Sequence, residues 1–255
     1  MNIITDPWFY LLAIPAVTAL GLSKGGFAGM GQMSLPLLAL VMPPLEAAAI
    51  MLPIMILQDG SAVWVYRKDW SGRLVAITVP AALVGVAAAG LLAAYISDAA
   101  VRIFMGVTTF ALVTFSLIGA WRVPRERAKP GTAVGAVAGA LSGFTSTLAQ
   151  AGGPPVQLYL LAQKLPKMTF VGTNAMFFAT MNILKVVPYL ALGQFSTKGL
   201  ATSVVLIPLA LATNQLGFWL VRRTPQDAFN RITMILMFLL SLELMRAGLT
   251  EIWDR

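Results

Sequence analysis

The residues that could do chemistry are concentrated in two polar, glycine-rich stretches of an otherwise apolar chain. The first, Gly21 to Pro36, reads GLSKGGFAGMGQMSLP, and the second, Ser142 to Gln157, reads SGFTSTLAQAGGPPVQ. Each glycine inside a helix costs about 1 kcal/mol relative to alanine, so both stretches are predicted to interrupt a helix. An interrupted helix leaves N–H groups unpaired at a partially positive end, which favours an anion. The two stretches are therefore predicted to face each other across a binding site for a small anion.

Hydroxyl, amide, lysine and glycine residues of the two stretches are predicted to form that site. The candidates in the first stretch are Ser23, Lys24, Gly25, Gly26, Gly29, Gly31, Gln32 and Ser34. The candidates in the second stretch are Ser142, Thr145, Ser146, Gln150, Gly152, Gly153 and Gln157. For the glycines, the alternative is close helix packing that needs no ligand. For Lys24, the alternative to attracting the anion is a side chain that snorkels to the membrane interface.

Four polar residues in other apolar segments are further candidates. Asn174 and Asn182 lie on one helical face and either line the substrate path or bond neighbouring helices. Asp59 is a candidate for proton coupling, because desolvation favours the neutral form of a carboxylate and such a group can exchange a proton. The alternative for Asp59 is an ion pair with Arg67 in the next loop. Lys185 is a second coupling candidate, although snorkelling to the outer interface is the favoured interpretation for it.

The composition sets the class of protein. Hydrophobic residues make up 58% of the 255 residues and charged residues 11%, with a mean hydropathy of +0.80. Continuous apolar runs of about 20 residues predict membrane-spanning helices, since a β-barrel would need alternating strands of about ten residues. The chain is therefore predicted to be an all-α, multi-pass protein of the cytoplasmic membrane. The N-terminal Trp8, Phe9 and Tyr10 are expected to form an interfacial anchor rather than part of a cleavable signal peptide.

The absence of cysteine and histidine from the chain narrows its chemistry. Disulfides, thiolate or imidazole metal sites, and Ser-His or Cys-His catalysis are excluded, so neither an enzyme nor a cofactor is predicted. The net charge of +8 comes from basic residues dispersed among short loops. Such a distribution is typical of orientation in a lipid bilayer with an anionic leaflet, and nucleic acid is not a predicted partner.

The apolar segments are predicted to repeat in two halves. Residues 1–121 form the first transmembrane repeat, 122–131 a basic cytoplasmic linker and 132–255 the second repeat; Gly31 then aligns with Gly152. Each repeat is predicted to hold one broken, re-entrant helix hairpin and three transmembrane helices. An odd number of crossings inverts the second repeat, and this places most Lys and Arg residues on the cytoplasmic side, as the positive-inside rule requires.

The helices are expected at the continuous apolar runs. Transmembrane helices are predicted at 46–66, 74–94, 97–121, 168–190, 199–221 and 228–249. The arms of the broken hairpins are predicted at 7–22, 34–42, 132–141 and 156–163. Ser97 is expected to cap the helix that follows it, because a serine oxygen can accept from the unpaired N–H groups of a first turn.

Three segments of the chain together resemble a known transporter family. They are SKGGFAGMGQMSLPLLAL, its counterpart around Ala151-Gly152-Gly153, and VGTNAMFFATMN. The chain resembles the sulfite and organosulfonate exporter family (TauE/SafE type, TSUP) over nearly its whole length, although Gly31 is followed by Gln32 and Met33 where the family clusters glycines. The resemblance implies export of a small sulfur-containing anion such as sulfite, sulfoacetate or a related sulfonate.

An inverted repeat with one broken helix pair per half is the plan of a secondary transporter, and coupling to a proton or ion gradient is predicted. The alternatives are an anion channel and a carrier for another small carboxylate or oxyanion. The sequence leaves open which anion is moved, in which direction, and whether the protein works as a monomer or as a homodimer.

Overall fold

The computed structural model describes residues 3–25, 30–117, 129–220 and 226–253, and within these ranges the chain is helical and contains no strand. A 3-10 turn at Met30–Met33 leads into the second helix. The helices are α1 Pro7–Gly25, α2 Ser34–Leu38, α3 Pro44–Tyr66, α4 Gly72–Ala93, α5 Asp98–Leu117, α6 Thr132–Ala149, α7 Gly153–Ala162, α8 Lys167–Ala191, α9 Thr197–Leu220 and α10 Gln226–Trp253. The predicted all-α fold class is confirmed.

Five of the described helices are long and apolar enough to cross a membrane. They cover Pro44–Tyr66, Gly72–Ala93, Thr132–Ala149, Met168–Ala191 and Thr197–Gly217. These helices have 18 to 24 residues, which at 1.5 Å per residue gives about 27–36 Å, the thickness of a hydrocarbon core of roughly 30 Å. The protein is therefore a multi-pass membrane protein, as predicted.

The second helix break is shorter than the sequence predicts. An arm over 132–141 is predicted, but α6 continues to Ala149, and only residues 150–152 separate it from α7. The polar part of α6 stays helical because its hydroxyls bond within the helix. Thr145 and Thr147 donate to carbonyl oxygens four residues earlier, at 2.7 and 2.8 Å. The prediction of a half-length first arm is therefore wrong.

The first helix break also differs from its predicted bounds. α1 extends beyond the predicted 7–22 and ends at Gly25, while α2 covers only the first five residues of the predicted arm 34–42. Gly26 and Gly29 lie outside the described residues. Elsewhere the cap at Ser97 is confirmed, because its Oγ accepts from the N–H of Ala100 at 3.3 Å.

The chain divides into two compact units that do not follow the order of the sequence. The first unit comprises Met1–Gln58, Ile96–Val113 and Gly193–Arg255, and the second comprises Asp59–Tyr95 and Thr114–Leu192. In the first unit α1 packs on α9 and on α2, and in the second α6 packs on α4 and on α7. Each unit thus combines the broken helix of one sequence half with the fourth helix of the other. The division into repeats and a linker stays a prediction.

Glycines allow α4 and α6 to approach closely in the second unit. A Cβ added at Gly139 or at Gly143 of α6 would overlap a backbone carbonyl oxygen of α4. A Cβ at Gly85 of α4 would likewise overlap the carbonyl oxygen of Ala140. Because the obstacles are backbone atoms, no side chain fits at these points, as in other membrane helix pairs joined by small residues. This packing fixes one side of α6, while another side carries polar residues.

Candidate functional site

One face of α8 carries a row of buried polar side chains. Asn182, Lys185 and Tyr189 are spaced by three and four residues, so they project from the same side of the helix. Their exposed fractions are 0%, 0% and 1%. A fully buried lysine lowers stability unless its ammonium group is hydrogen-bonded, so the partners of Lys185 identify the site.

Lys185 joins α8 to the second helix break. Its Nζ donates to Ser146 Oγ at 3.1 Å and to Gln150 Oε1 at 2.9 Å. Ser146 lies in the last turn of α6, and Gln150 is the first residue after it. The ammonium group therefore lies inside the second unit, where these two oxygens replace water. The prediction that Lys185 snorkels to the outer interface is wrong.

Gln150 turns the chain out of α6. Its backbone is left-handed, with φ 53° and ψ 20°, and its N–H donates to the carbonyl oxygen of Ser146 at 3.1 Å. Gly152 follows directly against α6, where an added Cβ would lie 2.6 Å from the carbonyl oxygen of Ser142 and from the Cβ of Ser146. Close packing is therefore sufficient to explain the glycine at position 152.

The start of α7 offers fewer backbone donors than a typical broken helix. α7 begins at Gly153, and Pro154 and Pro155 complete the start of its first turn. A proline has no N–H, so two of the roughly four donors that a helix start leaves unpaired are missing. An anion at this break would have to be held mainly by side chains.

Two hydroxyls of α6 are already used within the break. Ser142 Oγ donates to the carbonyl oxygen of Gly152. Thr145 Oγ1 donates to the carbonyl oxygen of Ala151 at 3.1 Å as well as back into α6. These bonds hold the loop between the two helices in place, so Ser142 and Thr145 support the shape of the break.

Tyr189 fixes the same end of α6 from the side of α8. Its hydroxyl donates to the carbonyl oxygen of Thr147 at 2.7 Å. Tyr189 is not among the site residues that the sequence predicts. The signal that could have found it is its spacing from Asn182 and Lys185, which places all three polar groups on one face of an apolar helix.

Asp59 is a buried carboxylate of the second unit. It is 1% exposed, and its Oδ2 accepts from Asn182 Nδ2 at 2.5 Å. The guanidinium group of Arg67 lies over the ring of Trp64, 4.3 Å from its centroid, and donates to the carbonyl oxygen of that residue. The predicted alternative of an Asp59–Arg67 ion pair is therefore wrong. Asn182 connects Asp59 to the face of α8 that carries Lys185.

Residues 13–244 match the family model described as Sulfite exporter TauE/SafE. The chain belongs to the TauE/SafE sulfite exporter family. This confirms the resemblance found in the sequence, and the family is one of transporters rather than enzymes. Neither a curated protein nor a solved structure matches the chain.

The remaining candidates of this TauE/SafE protein in the second unit lie outside the hydrogen-bonded network around Lys185. Asn174 of α8 is half-buried, and its Oδ1 has no hydrogen-bond partner. Gln157 of α7 is half-buried as well, and Gly153 is the first residue of that helix. No group of three or more carboxylates in the described part of the chain could hold a metal ion.

The first break of the TauE/SafE protein is positioned by the first unit. Ser23, Lys24 and Gln32 are half-buried, whereas Ser34 is 2% exposed and its Oγ has no hydrogen-bond partner. A Cβ at Gly31 would lie 2.9 Å from the Oγ of Ser23, so this glycine lets the 3-10 turn approach α1. Lys24 lies in the last turn of α1, where a cation is favourable to the carbonyl end of the helix. That the two breaks face each other stays a prediction.

Proposed function

We propose that this TauE/SafE protein exports a small sulfur-containing anion, such as sulfite, sulfoacetate or a related sulfonate, across the cytoplasmic membrane. Membership of the family supports the reaction. The observation that carries the proposal is the fully buried ammonium group of Lys185 at a helix break. A cation in a region of low dielectric attracts an anion more strongly than a cation in water does.

In this proposal the anion binds where α6 and α7 separate. Lys185 supplies the charge, and Ser146 and Gln150 hold its ammonium group beside the break. The two prolines at the start of α7 remove backbone donors, so side chains carry most of the binding.

We further propose that Asp59 couples export to a proton. Its buried carboxylate is hydrogen-bonded to Asn182, which lies one turn before Lys185 on α8. An anion that binds beside Lys185 adds negative charge to this region, and protonation of Asp59 offsets that charge. The anion and the proton would then cross together.

The transport reaction is tested by counterflow of radiolabelled sulfite in proteoliposomes. Lys185→Met should lower the initial rate by about 100-fold or more, because both charge-assisted hydrogen bonds to the ammonium group and its attraction for the anion are lost. Lys198→Met, at an exposed position near the start of α9, is the matched control and should keep the wild-type rate. A wild-type rate in Lys185→Met would place the anion elsewhere. Flux without counterflow would identify a channel.

The coupling is tested separately with Asp59→Asn. This variant should retain sulfite counterflow but lose the acceleration that an imposed pH gradient gives to net sulfite flux. Asp69→Asn, at an exposed position after α3, is the matched control and should respond to the gradient as the wild type does. An unchanged response in Asp59→Asn would contradict the proposed coupling role.

A further inference from the structure

Gln150 occupies a position at which glycine would be more favourable. The left-handed conformation places a Cβ close to the neighbouring backbone, and helices that end in it usually do so with glycine. Gln150 has φ 53° and ψ 20° immediately after α6. A backbone outlier of this kind points to a use for the side chain that offsets the unfavourable backbone.

The two ends of the Gln150 amide have different surroundings. Oε1 accepts from Lys185 Nζ at 2.9 Å, whereas Nε2 is shielded from solvent and has no acceptor. The orientation of the amide is fixed, because an ammonium group has only donors and must face the oxygen. Since Nε2 is bonded to the same carbon as Oε1, this unpaired donor lies beside the ammonium group. A buried donor without an acceptor is unfavourable, and an incoming oxygen atom would relieve it.

Other groups at the break are less suited to donate a hydrogen bond to an incoming oxygen atom. Pro154 and Pro155 have no N–H to offer. The hydroxyls of Ser142 and Thr145 donate to backbone carbonyls of the loop. Ser146 uses its oxygen to accept from Lys185. The hydroxyl hydrogen of Ser146 can still donate, but among the side-chain nitrogens in the described part of the break Gln150 Nε2 is shielded from solvent and has no acceptor.

We propose that Gln150 Nε2 and Lys185 Nζ bind two oxygen atoms of one oxyanion group, and that this two-point contact selects sulfite and sulfonates over halides. The inference rests on the proposed function, because it places the transported anion at this break. A sulfite ion or sulfonate group carries three oxygens on one sulfur, so it accepts from both donors at once. A chloride ion has no second atom at the required spacing, and the unfavourable burial of Nε2 is not relieved to the same extent.

The test is Gln150→Glu, which keeps the shape of the side chain and an acceptor for Lys185 but replaces the Nε2 donor by a second acceptor. Binding is measured on the purified protein as the rise in Tm with sulfite, methanesulfonate or sodium chloride at matched ionic strength. Sulfite and methanesulfonate, but not chloride, should raise the Tm of the wild type. The variant should bind both sulfur anions about 100-fold more weakly while keeping its Tm without anion. Gln194→Glu, in the turn between α8 and α9, makes the same chemical change elsewhere and should bind like the wild type.

Gln150→Met is the second variant, because it removes the donor without adding charge and serves if the glutamate variant does not fold. Weaker sulfite binding by about tenfold or more supports the inference in this variant. Wild-type affinity in either folded variant overturns the role of Gln150 and leaves the proposed function standing. Equal stabilisation of the wild type by chloride and sulfite overturns the selectivity. No stabilisation of the wild type by any sulfur oxyanion contradicts the proposed function itself.

Discussion

The two helix breaks have similar sequence patterns but are held by different interactions. At the second break, the buried Lys185 of a neighbouring helix bonds to the end of α6. At the first break, the lysine belongs to the broken helix itself, and Lys24 is only half-buried in the last turn of α1. A pattern of small residues therefore predicts where a helix is interrupted, whereas the side chains of packed helices decide what the interruption can bind.

The first break is held in place by contacts to the residues that follow α2. Arg102 of α5 donates from Nε to the carbonyl oxygen of Ala39 at 3.0 Å and from Nη2 to that of Met42 at 3.3 Å, both just after α2. Glu251 of α10 pairs with the same guanidinium group. In the first unit, the guanidinium group of Arg102 thus holds the segment that follows α2. In the second unit, the ammonium group of Lys185 lies at the break itself.

The largest expected effect on stability concerns the glycine packing of α6. Gly143→Ala should lower the free energy of unfolding by about 3 kcal/mol, because the new Cβ would overlap the backbone carbonyl of Ala82, which cannot move without α4. Gly31→Ala in the first unit should cost less, since the nearest obstacle to a Cβ there is the side chain of Ser23, whose Oγ lies 2.9 Å away. Unfolding in mixed micelles measures the change in the free energy of unfolding for both variants.

Gly60→Ala is the control for these two variants. A Cβ at Gly60 meets nothing within 4 Å, although the residue lies inside α3. Alanine is the better helix former by up to about 1 kcal/mol, so this variant should be as stable as the wild type or more stable. Equal destabilisation by all three substitutions would show that close packing does not distinguish the two units.

A smaller loss is expected at the anchor of the first break. Arg102→Ala should lower the free energy of unfolding by about 2 kcal/mol, because it removes three hydrogen bonds of a partly buried guanidinium group, one of them to Glu251. Arg246→Ala removes an exposed pair with Glu243 on α10 and should change stability by less than about 1 kcal/mol. If chemical denaturation gives equal losses, the anchor contributes no more than a surface ion pair.

The smallest effect is expected from two tyrosine hydroxyls, one in each unit. Tyr189→Phe should lower the free energy of unfolding by about 1 kcal/mol, because the carbonyl oxygen of Thr147 loses its hydrogen bond from α8. Tyr10→Phe removes a buried hydroxyl that has no partner and should be neutral or slightly stabilising. Thermal unfolding of the pair separates the two cases, and a larger loss for Tyr10→Phe would contradict this account of the hydrogen bonds.

The fold class and most helices could be predicted because their signals are local. Long apolar runs specify helices in lipid, and Ser97 marks a helix start by its own chemistry. The continuation of α6 to Ala149 could not be predicted from the glycine and hydroxyl content alone. A serine or threonine hydroxyl can cap the end of a helix, or it can donate to a carbonyl oxygen within the helix. Here the hydroxyls of Thr145 and Thr147 donate within α6.

The candidate site was predictable only in part, because its contacts join residues far apart in the chain. The polar composition of the second stretch predicts Gln150 and Ser146 as site residues, and the position of Lys185 in an apolar helix makes it a candidate as well. That Lys185 bonds to both depends on how α8 packs beside α6, which no local pattern contains. The absence of N–H donors at Pro154 and Pro155 could be predicted from the sequence, because only the position of the helix start has to be known.

The affinity for sulfite, measured by isothermal titration calorimetry on the wild type, Lys185→Met and Lys24→Met, tests whether the second break holds the anion. The buried position of Lys185 predicts a loss of about 100-fold in its variant, whereas loss of the half-buried Lys24 should weaken binding by less than about tenfold. Wild-type affinity in Lys185→Met, together with lost binding in Lys24→Met, would contradict the claim that the second break holds the anion.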